Sequence, residues 1–427
     1  MSERLVQFRR LLEHARSTLG ISFGFVLWDG STVPADLADD ALAIRIADEG
    51  AIAALLRRPN IDTLANLWVA ARIDIRNGSV FDLAAARPSV RSRALVRSLD
   101  KKLLLGTLAR FLFVPRGPFP LKDIPAGVQG GSAEANRRNV SYHYDASNAF
   151  YALFLDPAMV YTCAYFTDWS NDLATAQFDK LDMVCRKLRL RPDDRFLDIG
   201  CGWGALVCYA AKHYGVRAHG VTLSTEQLAL ANERVSAAGL SDRVTLELRD
   251  FASLEGGFDK IASVGMFEQV GIANHATYFA VVNRLLKPGG LYLHHSIARP
   301  AKRDDKRFRR RSSEYAALTR YIFPGGELDH IGMSLANLQR HGFEVHDTEA
   351  WREHYARTCR MWHDRLFARY DEAVATVGSV QTRLWLVYLA GCSLAFERNT
   401  VGIYQTLASK RVRGPSGLPP TRADLYR

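Results

Sequence analysis

The stretch Phe196–Gly204 constrains the fold of this chain more than any other. It reads FLDIGCGWG, so a short apolar run ends in Asp198 and a glycine-rich turn follows. Because they lack a Cβ, Gly200 and Gly202 let the backbone approach a ligand closely, and a helix after the turn offers unpaired N–H groups. The pattern predicts a strand, a turn and a helix that hold a nucleotide-type cofactor, with Asp198 and Trp203 as further contacts. A tight turn with a purely structural role is the alternative.

The spacing of these glycines narrows the choice of ligand. It is G-x-G-x-G, whereas dinucleotide-binding turns read G-x-G-x-x-G, and no Lys-Ser or Lys-Thr pair follows to hold a triphosphate. The turn therefore need not serve a pyrophosphate. It resembles motif I of S-adenosylmethionine-dependent methyltransferases.

Composition indicates a folded protein with anionic partners. The chain has 427 residues, 48% of them hydrophobic, which is enough for two or three domains with buried cores. Its net charge of +11 favours nucleic acid or an anionic membrane surface as a partner. The six cysteines form no C-x-x-C pair, so we expect reduced thiols in the cytosol. We find no apolar run of about 18 residues and therefore expect a soluble or peripheral protein.

The chain divides by composition into four parts. Residues 1–114 mix helical and strand-like patterns and are predicted to form a helper domain. Residues 115–138 are rich in Pro, Gly and small polar residues, as an exposed linker is. We expect the catalytic domain to cover 139–411 and a C-terminal tail to cover 412–427.

Residues 172–298 alternate between helical and strand-like patterns. The predicted helices cover 173–188, 203–214, 224–238 and 275–286; the predicted strands cover 195–199, 216–221, 243–248, 258–265 and 291–298, with a Lys287–Gly290 turn before the last strand. Such alternation predicts an α/β fold, a parallel sheet with helices on both faces. Ligands of open sheets bind beyond the carboxyl ends of the strands.

Further candidate cofactor residues follow the second and third strands. Thr222 stands where an acid commonly holds ribose hydroxyls, and Gln227 can add polar contacts. Ser224 and Gln227 also fit a capping box for the next helix, and both roles can hold. Asp250 and Phe251 can accept from an adenine amine and stack on its ring, although a surface turn is the alternative.

Three more segments have an unusual mix of residues: Tyr161–Phe166, Gly265–Gly271 and Tyr292–Ile297. Together with the glycine turn and Gly220–Thr222, they resemble cyclopropane-fatty-acyl-phospholipid synthases. The resemblance covers roughly 139–411, including Tyr142–Asp145 and Leu155–Pro157, and 1–114 is loosely similar to that family's small lipid-binding domain. It implies a class I methyltransferase with a Rossmann-like, mostly parallel sheet, a small α+β N-terminal domain, and S-adenosylmethionine bound also by Tyr161 and Thr162.

The resemblance also implies a reaction. A methylene from S-adenosylmethionine is added to a cis double bond of an unsaturated phospholipid acyl chain, through a carbocation that bound bicarbonate deprotonates as the ring closes. The bicarbonate cradle maps onto Cys163, Glu268, His295, the backbone of Ile297 and Tyr355. Each of these side chains can alternatively have only a packing role, and strand alternation turns the neighbouring His294 to the opposite face. Cys163, Glu268 and His295 are not spaced along the sequence as the ligands of a metal ion are, so we expect no metal site.

One position departs from the family pattern. Gln269 follows Glu268 where the family usually has His, so a titrating group is lost. This leaves the product open between a cyclopropane ring and a methyl- or methylene-branched chain.

The stretch 302–311 has seven basic and two acidic residues and follows the fifth strand of the alternating region. It can bind anionic lipid head groups or remain a solvated loop, and RNA phosphates would attract it equally. The resemblance favours acyl chains in a bilayer as substrate, peripheral contact with the inner face of the membrane from the cytoplasm, a homodimer and no nucleic acid. A lipid- or RNA-binding protein without turnover and an RNA methyltransferase are the alternatives.

Overall fold

The computed structural model describes residues 2–86, 99–121, 147–310 and 312–426. The predicted linker from residue 122 onward, the expected domain start at Asn139, the Tyr142–Asp145 segment and Arg311 lie outside these ranges.

The helices and strands of the described residues are each numbered along the chain. The helices are α1 Glu3–Leu19, α2 Glu49–Arg57, α3 Ile61–Val69, α4 Val80–Ala85, α5 Lys101–Phe111, α6 Asn148–Ala152, α7 Leu173–Leu188, α8 Ala205–Tyr214, α9 Thr225–Ala237, α10 His275–Leu285, α11 Asp305–Phe308, α12 Ser313–Tyr321, α13 Ile331–Arg340, α14 Arg352–Ala368, α15 Tyr370–Val377 and α16 Ser379–Glu397. The strands are β1 Gly24–Val26, β2 Thr32–Val33, β3 Ala43–Ile46, β4 Ile73–Arg76, β5 Arg195–Ile199, β6 Arg217–Thr222, β7 Val244–Leu248, β8 Phe258–Val264, β9 Leu286–Ala298, β10 Phe343–Ala350 and β11 Gly402–Lys410.

The first of two compact units contains residues 1–123, 312–317 and 378–390. Its described sheet has the order β2-β1-β3-β4, with β1 and β3 parallel and the other pairs antiparallel. Apolar side chains of α1, α2 and α5 share one core with this sheet. The unit is therefore α+β.

The segment 378–390 belongs to this unit although the sequence analysis assigned it to the catalytic domain. Arg383 Nε donates to the Trp68 carbonyl at 2.7 Å, and the Trp68 indole donates back to the Arg383 carbonyl at 3.0 Å. The Arg383 guanidinium also pairs with Asp74 at 3.1 Å. These long-range contacts join segments more than three hundred residues apart, so local patterns in the sequence gave no sign of them.

The second unit contains residues 124–311, 318–377 and 391–427. Its sheet, counted over the described residues, has seven strands in the order β10-β11-β9-β8-β5-β6-β7. Strands β5 to β9 run parallel, whereas β11 is antiparallel to β9 and β10 is antiparallel to β11. Helices α7 and α8 pack on one face and α10 and α13 on the other. This confirms the predicted α/β class with a mostly parallel sheet.

Helix α7 illustrates why the sequence folds as it does in this region. The Asp172 side chain accepts from the Thr175 N–H and caps the first turn, and Arg189 ends the helix in the left-handed conformation. Leu181, Val184 and Leu188 recur at helical spacing and are buried against the sheet. The predicted bounds of this helix match the observed ones.

The Lys287–Gly290 segment differs from the prediction, because it is part of β9 and not a turn before it. Phe258 pairs with Leu286 but Lys260 pairs with Leu291, so the segment bulges out of the ladder. Gly289 supports this bulge with a φ of 72°.

The predicted tail ends in a short 3₁₀ helix at Ala423–Tyr426. Leu425 is buried, and Asp424 pairs with Arg189 at 2.9 Å. Asp424 therefore contacts Arg189, the residue that ends α7. Among the described residues, no helix combines the length and apolar character that a membrane crossing requires.

Candidate functional site

The glycine turn after β5 has a backbone that other residues adopt only with strain. Gly200, Gly202 and Gly204 have φ values of 82°, 54° and 81°. A Cβ on Gly200 would lie 2.9 Å from Met266, so the turn packs closely there. A Cβ on Gly202 would meet nothing within 4 Å in the part of the chain that the structure describes. The turn is therefore closed on one side and open on the other.

A cavity of about 70 Å³ lies at this turn. Seven of the ten predicted cofactor residues line it: Tyr161, Thr162, Asp198, Gly200, Gly202, Trp203 and Gln227. Thr222, Asp250 and Phe251 are not among its lining residues.

Asp198 and Lys180 place a carboxyl group and an amine in the cavity wall. Asp198 is 3% exposed, and its Oδ1 has no hydrogen-bond partner among the described residues. Burial raises the pKa of Asp198 to about 7, against the opposing effect of Lys180. Burial also lowers the pKa of Lys180 to about 8, and its Nζ donates to Thr162 Oγ1 at 2.9 Å. The two groups give the cavity one acceptor and one donor with little water around them.

Lys180 was not predicted as a site residue. A signal was present, because Gln177, Lys180 and Val184 recur at helical spacing on the buried stripe of α7. A polar residue at a position where the pattern requires an apolar one indicates a buried partner, here Thr162.

Aromatic side chains hold the cavity wall around Tyr161. Its ring lies 5.4 Å from that of Tyr151 and 5.1 Å from that of Trp362. Trp203 packs on Tyr151 at 5.1 Å, and its indole N–H donates to Asn148 Oδ1 at 2.7 Å. Tyr161 and Trp203, predicted as cofactor residues, are thus fixed by their neighbours.

The end of β6 combines a cap with a polar contact. Ser224 Oγ accepts from the Gln227 N–H at 3.3 Å, which is half of the predicted capping box. The other half is not formed, because the Ser224 N–H donates to Thr222 Oγ1 and the Thr222 hydroxyl donates to Gln227 Oε1 at 3.0 Å. The side-chain amide nitrogen of Gln227 is therefore not used by the cap.

Asp250 and Phe251 follow β7 as predicted. The Asp250 carboxylate accepts from the Ala252 N–H at 2.9 Å and caps a short 3₁₀ helix. The Phe251 ring packs against Tyr278 at 5.3 Å. Asp250 thus makes the turn contact that was the alternative to an adenine contact. This turn contact is compatible with the predicted contact to adenine.

Glu268 and Ile297 are in direct contact. The Ile297 N–H donates to Glu268 Oε1 at 2.6 Å, and burial raises the pKa of Glu268 to about 7. The backbone donor that the family resemblance assigns to bicarbonate is thus engaged by the carboxylate.

His295 lies two residues earlier on the same face of β9. It is 1% exposed, and its Nδ1 is 2.9 Å from Gln405 Nε2. Its Nε2 has no hydrogen-bond partner within the described ranges. Burial lowers the pKa of His295 well below its usual range, so the ring is neutral.

His294 lies on the opposite face, as strand alternation predicts. Its ring nitrogens lie 3.0 Å from the Tyr292 hydroxyl and 3.1 Å from Ser296 Oγ. These contacts, together with burial, are those of a structural histidine.

Trp351 connects the remaining cradle residues. Its carbonyl accepts from the Tyr355 N–H at 3.0 Å and lies 3.8 Å from the Cys163 thiol, which also donates to the Ala164 carbonyl. Its indole ring meets the edge of His295 at 5.3 Å between centroids. Burial raises the pKa values of both Cys163 and Tyr355, so both keep their protons. Trp351 was not predicted, although it is a large aromatic one helical turn before Tyr355.

A family model described as mycolic acid cyclopropane synthetase matches residues 132–406. The chain belongs to this family. Its members are S-adenosylmethionine-dependent lipid methyltransferases.

Three relatives place the chain within the family. It is 38% identical over 420 residues to a probable fatty acid methyltransferase of Pseudomonas putida, with 97% of this chain and 99% of the relative covered. It is 40% identical over 270 residues to the cyclopropane-fatty-acyl-phospholipid synthase of Escherichia coli, with 63% and 67% covered. The crystal structure of mycolic acid cyclopropane synthase CmaA1 complexed with SAH and CTAB superposes with a TM-score of 0.61 at 32% identity, covering 64% of this chain and 98% of that one.

The cavity of this family member has polar groups that match those of S-adenosylmethionine. The ligand carries a cationic amine and a carboxylate at one end, and the cavity wall supplies the unpartnered Asp198 oxygen and the buried Lys180 ammonium. The open side of Gly202 leaves room for close approach. The residues therefore fit the cofactor.

The second cluster has the donors that a small anion requires. His295 Nε2 is a buried polar atom without a partner in the described chain, and Tyr355 keeps its proton. Cys163 also keeps its proton but donates it to the Ala164 carbonyl. An anion such as bicarbonate accepts hydrogen bonds from donors of this kind.

Proposed function

We propose that this protein forms a cyclopropane ring from the cis double bond of an unsaturated phospholipid acyl chain, with bicarbonate as the base. The observation that carries the proposal is the buried, unpartnered His295 Nε2 beside the Glu268–Ile297 contact. A chain that needed only to bind lipid would gain nothing from a buried polar atom without a partner, which costs about 1–3 kcal/mol. The name of the Escherichia coli relative, a cyclopropane-fatty-acyl-phospholipid synthase, supports the same reaction.

The cofactor cavity and the cradle are neighbours in the fold. Thr162, in the cavity wall, directly precedes Cys163, and Val264, also in the wall, pairs with His295 across β8 and β9. S-adenosylmethionine supplies the one-carbon group, and bicarbonate supplies the base that removes a proton. Asp198 and Lys180 would hold the charged end of the cofactor, and Gln227 its sugar.

The protonation states of the cradle suit an anion in a dry site. Burial keeps the Cys163 thiol and the Tyr355 phenol protonated and the His295 imidazole neutral. The phenol and the imidazole therefore each present one X–H group, while the thiol donates to the Ala164 carbonyl. Glu268, with its pKa raised to about 7, can take the proton-bearing edge of the anion or share a proton with it. The cradle residues would thus orient the base, and none of them needs to be the base.

The aromatic walls would keep water away from a cationic centre on the lipid chain. Trp351 is fully buried against His295, and Tyr355 stacks on Phe396 at 4.6 Å. Removing water strengthens electrostatic interactions within a site and prevents capture of a reactive intermediate.

The substrate and its surroundings are part of the proposal. We propose that the chain acts from the cytoplasm on phospholipids of the inner membrane face, as a homodimer and without nucleic acid. The exposed basic residues of 302–310 would contact anionic head groups.

The proposal is tested by methyl transfer from labelled S-adenosylmethionine to vesicles of cis-monounsaturated phosphatidylglycerol, with and without bicarbonate. We expect label in the lipid, none in added RNA, and slower transfer when bicarbonate is removed. The Tyr355→Phe variant should lose activity on the order of 100-fold, as for loss of one donor at a reacting centre. The matched control is Tyr214→Phe on α8, which removes a hydroxyl that donates to Asp182 outside the cradle. Label in RNA, or an active Tyr355→Phe variant, would contradict the proposal.

A relative that methylates without closing a ring is the second candidate. Gln269 replaces the usual His, and its Oε1 is buried without a partner in the described part of the chain. The relative from Pseudomonas putida, which matches over almost the whole chain, is named only a probable fatty acid methyltransferase. The structure of the lipid product separates the two candidates.

A further inference from the structure

Three polar residues form one row across the antiparallel edge of the second unit's sheet. Gln405 on β11 pairs with His295 on β9 and, on its other side, with Glu349 on β10. Because directly opposite residues on neighbouring strands point to the same face, the three side chains lie next to one another. Gln405 is 1% exposed and His295 is equally buried, so this row is not a solvated surface.

A lysine from α7 covers this row. Lys187 is 1% exposed, pairs with Glu349, and donates from Nζ to Gln405 Oε1 at 2.9 Å. Its Nζ also lies 5.0 Å from the centre of the Trp351 ring, a cation–π contact. A buried ammonium is costly unless it is paired, and here the pairing holds it against Gln405.

The donor and acceptor properties of these groups leave one arrangement. An ammonium has only donors, so the Gln405 atom facing Lys187 must be the carbonyl oxygen. The Gln405 NH₂ group therefore faces His295, and it donates to Nδ1 at 2.9 Å. Since Nδ1 of His295 accepts, the ring proton must be on Nε2, the atom that lacks a partner among the described residues.

We propose that Lys187 and Gln405 are positioning residues, which fix His295 as the Nε2–H tautomer so that it presents a donor to an anion. The tautomer follows from the contacts alone, whereas the identity of the anion as bicarbonate rests on the proposed function.

The Gln405→Glu variant tests this inference most directly. A carboxylate has no donor, so it would accept from Nδ1–H and turn Nε2 into an acceptor or make the ring cationic. The measurement is the ¹H–¹⁵N correlation pattern of the histidine rings in the full chain, with His295 assigned by its loss in a His295→Asn variant. We expect Nε2–H in the wild type and a protonated Nδ1 in Gln405→Glu. The control is Thr406→Val, the next residue on β11, whose side chain points to the other face.

Activity provides a second readout. In Gln405→Glu we expect kcat to fall on the order of 100-fold with the KM for S-adenosylmethionine unchanged, as for loss of a preorganised donor. Lys187→Met, which frees the Gln405 amide to rotate, should lower kcat less and give both tautomers. Circular dichroism of each variant checks that it is folded.

The results of these experiments distinguish the positioning role of Lys187 and Gln405 from the proposed function. A wild-type ring protonated at Nδ1, or a tautomer that Gln405→Glu does not change, overturns the inference. A tautomer that changes as expected while bicarbonate has no effect on activity supports the positioning role and overturns the proposed base.

Discussion

At the scale of single residues, Gly265 joins the cofactor cavity to the cradle. Its φ is 66°, and a Cβ there would lie 2.6 Å from Thr162 Cγ2. Thr162 accepts from Lys180 and directly precedes Cys163. A methyl group at position 265 therefore displaces a segment that both sites use.

We predict that Gly265→Ala weakens S-adenosylmethionine binding by about tenfold or more, because Thr162 must move, and that the left-handed backbone costs roughly 1 kcal/mol of stability. Gly289→Ala is the matched control, since its φ is 72° but no atom of the described chain lies within 4 Å of the new Cβ. Titration calorimetry and urea unfolding measure the two effects. Equal losses of affinity in both variants would refute the role of Thr162.

Glu268 gives the stability of the protein a predictable pH dependence. Its pKa is about 7 when folded and near 4.5 in its ordinary state, because burial disfavours the charged form. Between these values the folded carboxyl holds a proton that the unfolded one has lost. The contribution of Glu268 to stability is therefore present at low pH and is lost as pH rises through this window.

Between about pH 5 and pH 7, we predict that the free energy of unfolding falls less in Glu268→Gln than in the wild type, by on the order of 1 kcal/mol. Urea unfolding at both ends of the window measures it, with exposed Glu255→Gln as control. If the wild type and Glu268→Gln change in parallel, the carboxyl is not desolvated as described.

At the residue scale, the family resemblance named candidate groups but not how their protons are held. It pointed to Glu268, Ile297 and His295, and in the structure Glu268 contacts the Ile297 N–H two residues after His295. Gln405 and Lys187 were not named, because they are more than one hundred residues from each other and from His295 in sequence. The partners of Gln405 are set by strand register, and those of Lys187 by the packing of α7 on the sheet, neither of which a local motif encodes.

At the scale of elements, the basic segment 302–310 is proposed to contact anionic lipid, and this contact can be tested directly. Its helix α11 is capped by the Asp304 side chain, and Phe308 is buried against the Arg299 guanidinium at 4.2 Å. The basic side chains on either side, including Arg309 and Arg310, are exposed. An anchored, exposed cationic segment is suited to a surface of anionic lipid heads.

We predict that replacing Arg309 and Arg310 by Gln weakens binding to phosphatidylglycerol vesicles by about 2 kcal/mol at low salt, since each basic residue contributes roughly 1 kcal/mol. High salt should abolish the difference. Replacing exposed Lys212 and Arg413 by Gln gives a control of equal net charge. Equal binding of the two double variants in cosedimentation would show that the segment has no special role.

Some of the helices and strands were predicted from the sequence, and others were not. The alternating region 172–298 was predicted well, because buried parallel strands and amphipathic helices leave strong periodic patterns. Strands β10 and β11 were not predicted. β10 reads FEVHDTEA and is only partly buried at most positions, so its pattern lacks the apolar alternation of a core strand. Its place depends on pairing with β11, which lies more than fifty residues later.

At the scale of the whole molecule, both parts of the candidate site belong to the second unit. The cofactor cavity lies at the carboxyl ends of the parallel strands, as expected for an open sheet. The cradle begins where the antiparallel strand β11 joins β9, so the predicted parallel core and the unpredicted antiparallel edge meet at His295. The homodimer, the membrane contact and the role of the first unit remain predictions.

Proton NMR of the lipid product shows whether the ring closes. The purified protein is incubated with S-adenosylmethionine, bicarbonate and vesicles of a cis-monounsaturated phospholipid, and the extracted lipid is compared with a no-enzyme control. We predict a mass gain of one CH₂ with the upfield signals of a cyclopropane methylene and loss of the alkene protons. The same mass gain with the signals of an exocyclic methylene or a methyl branch would contradict ring closure and implicate Gln269.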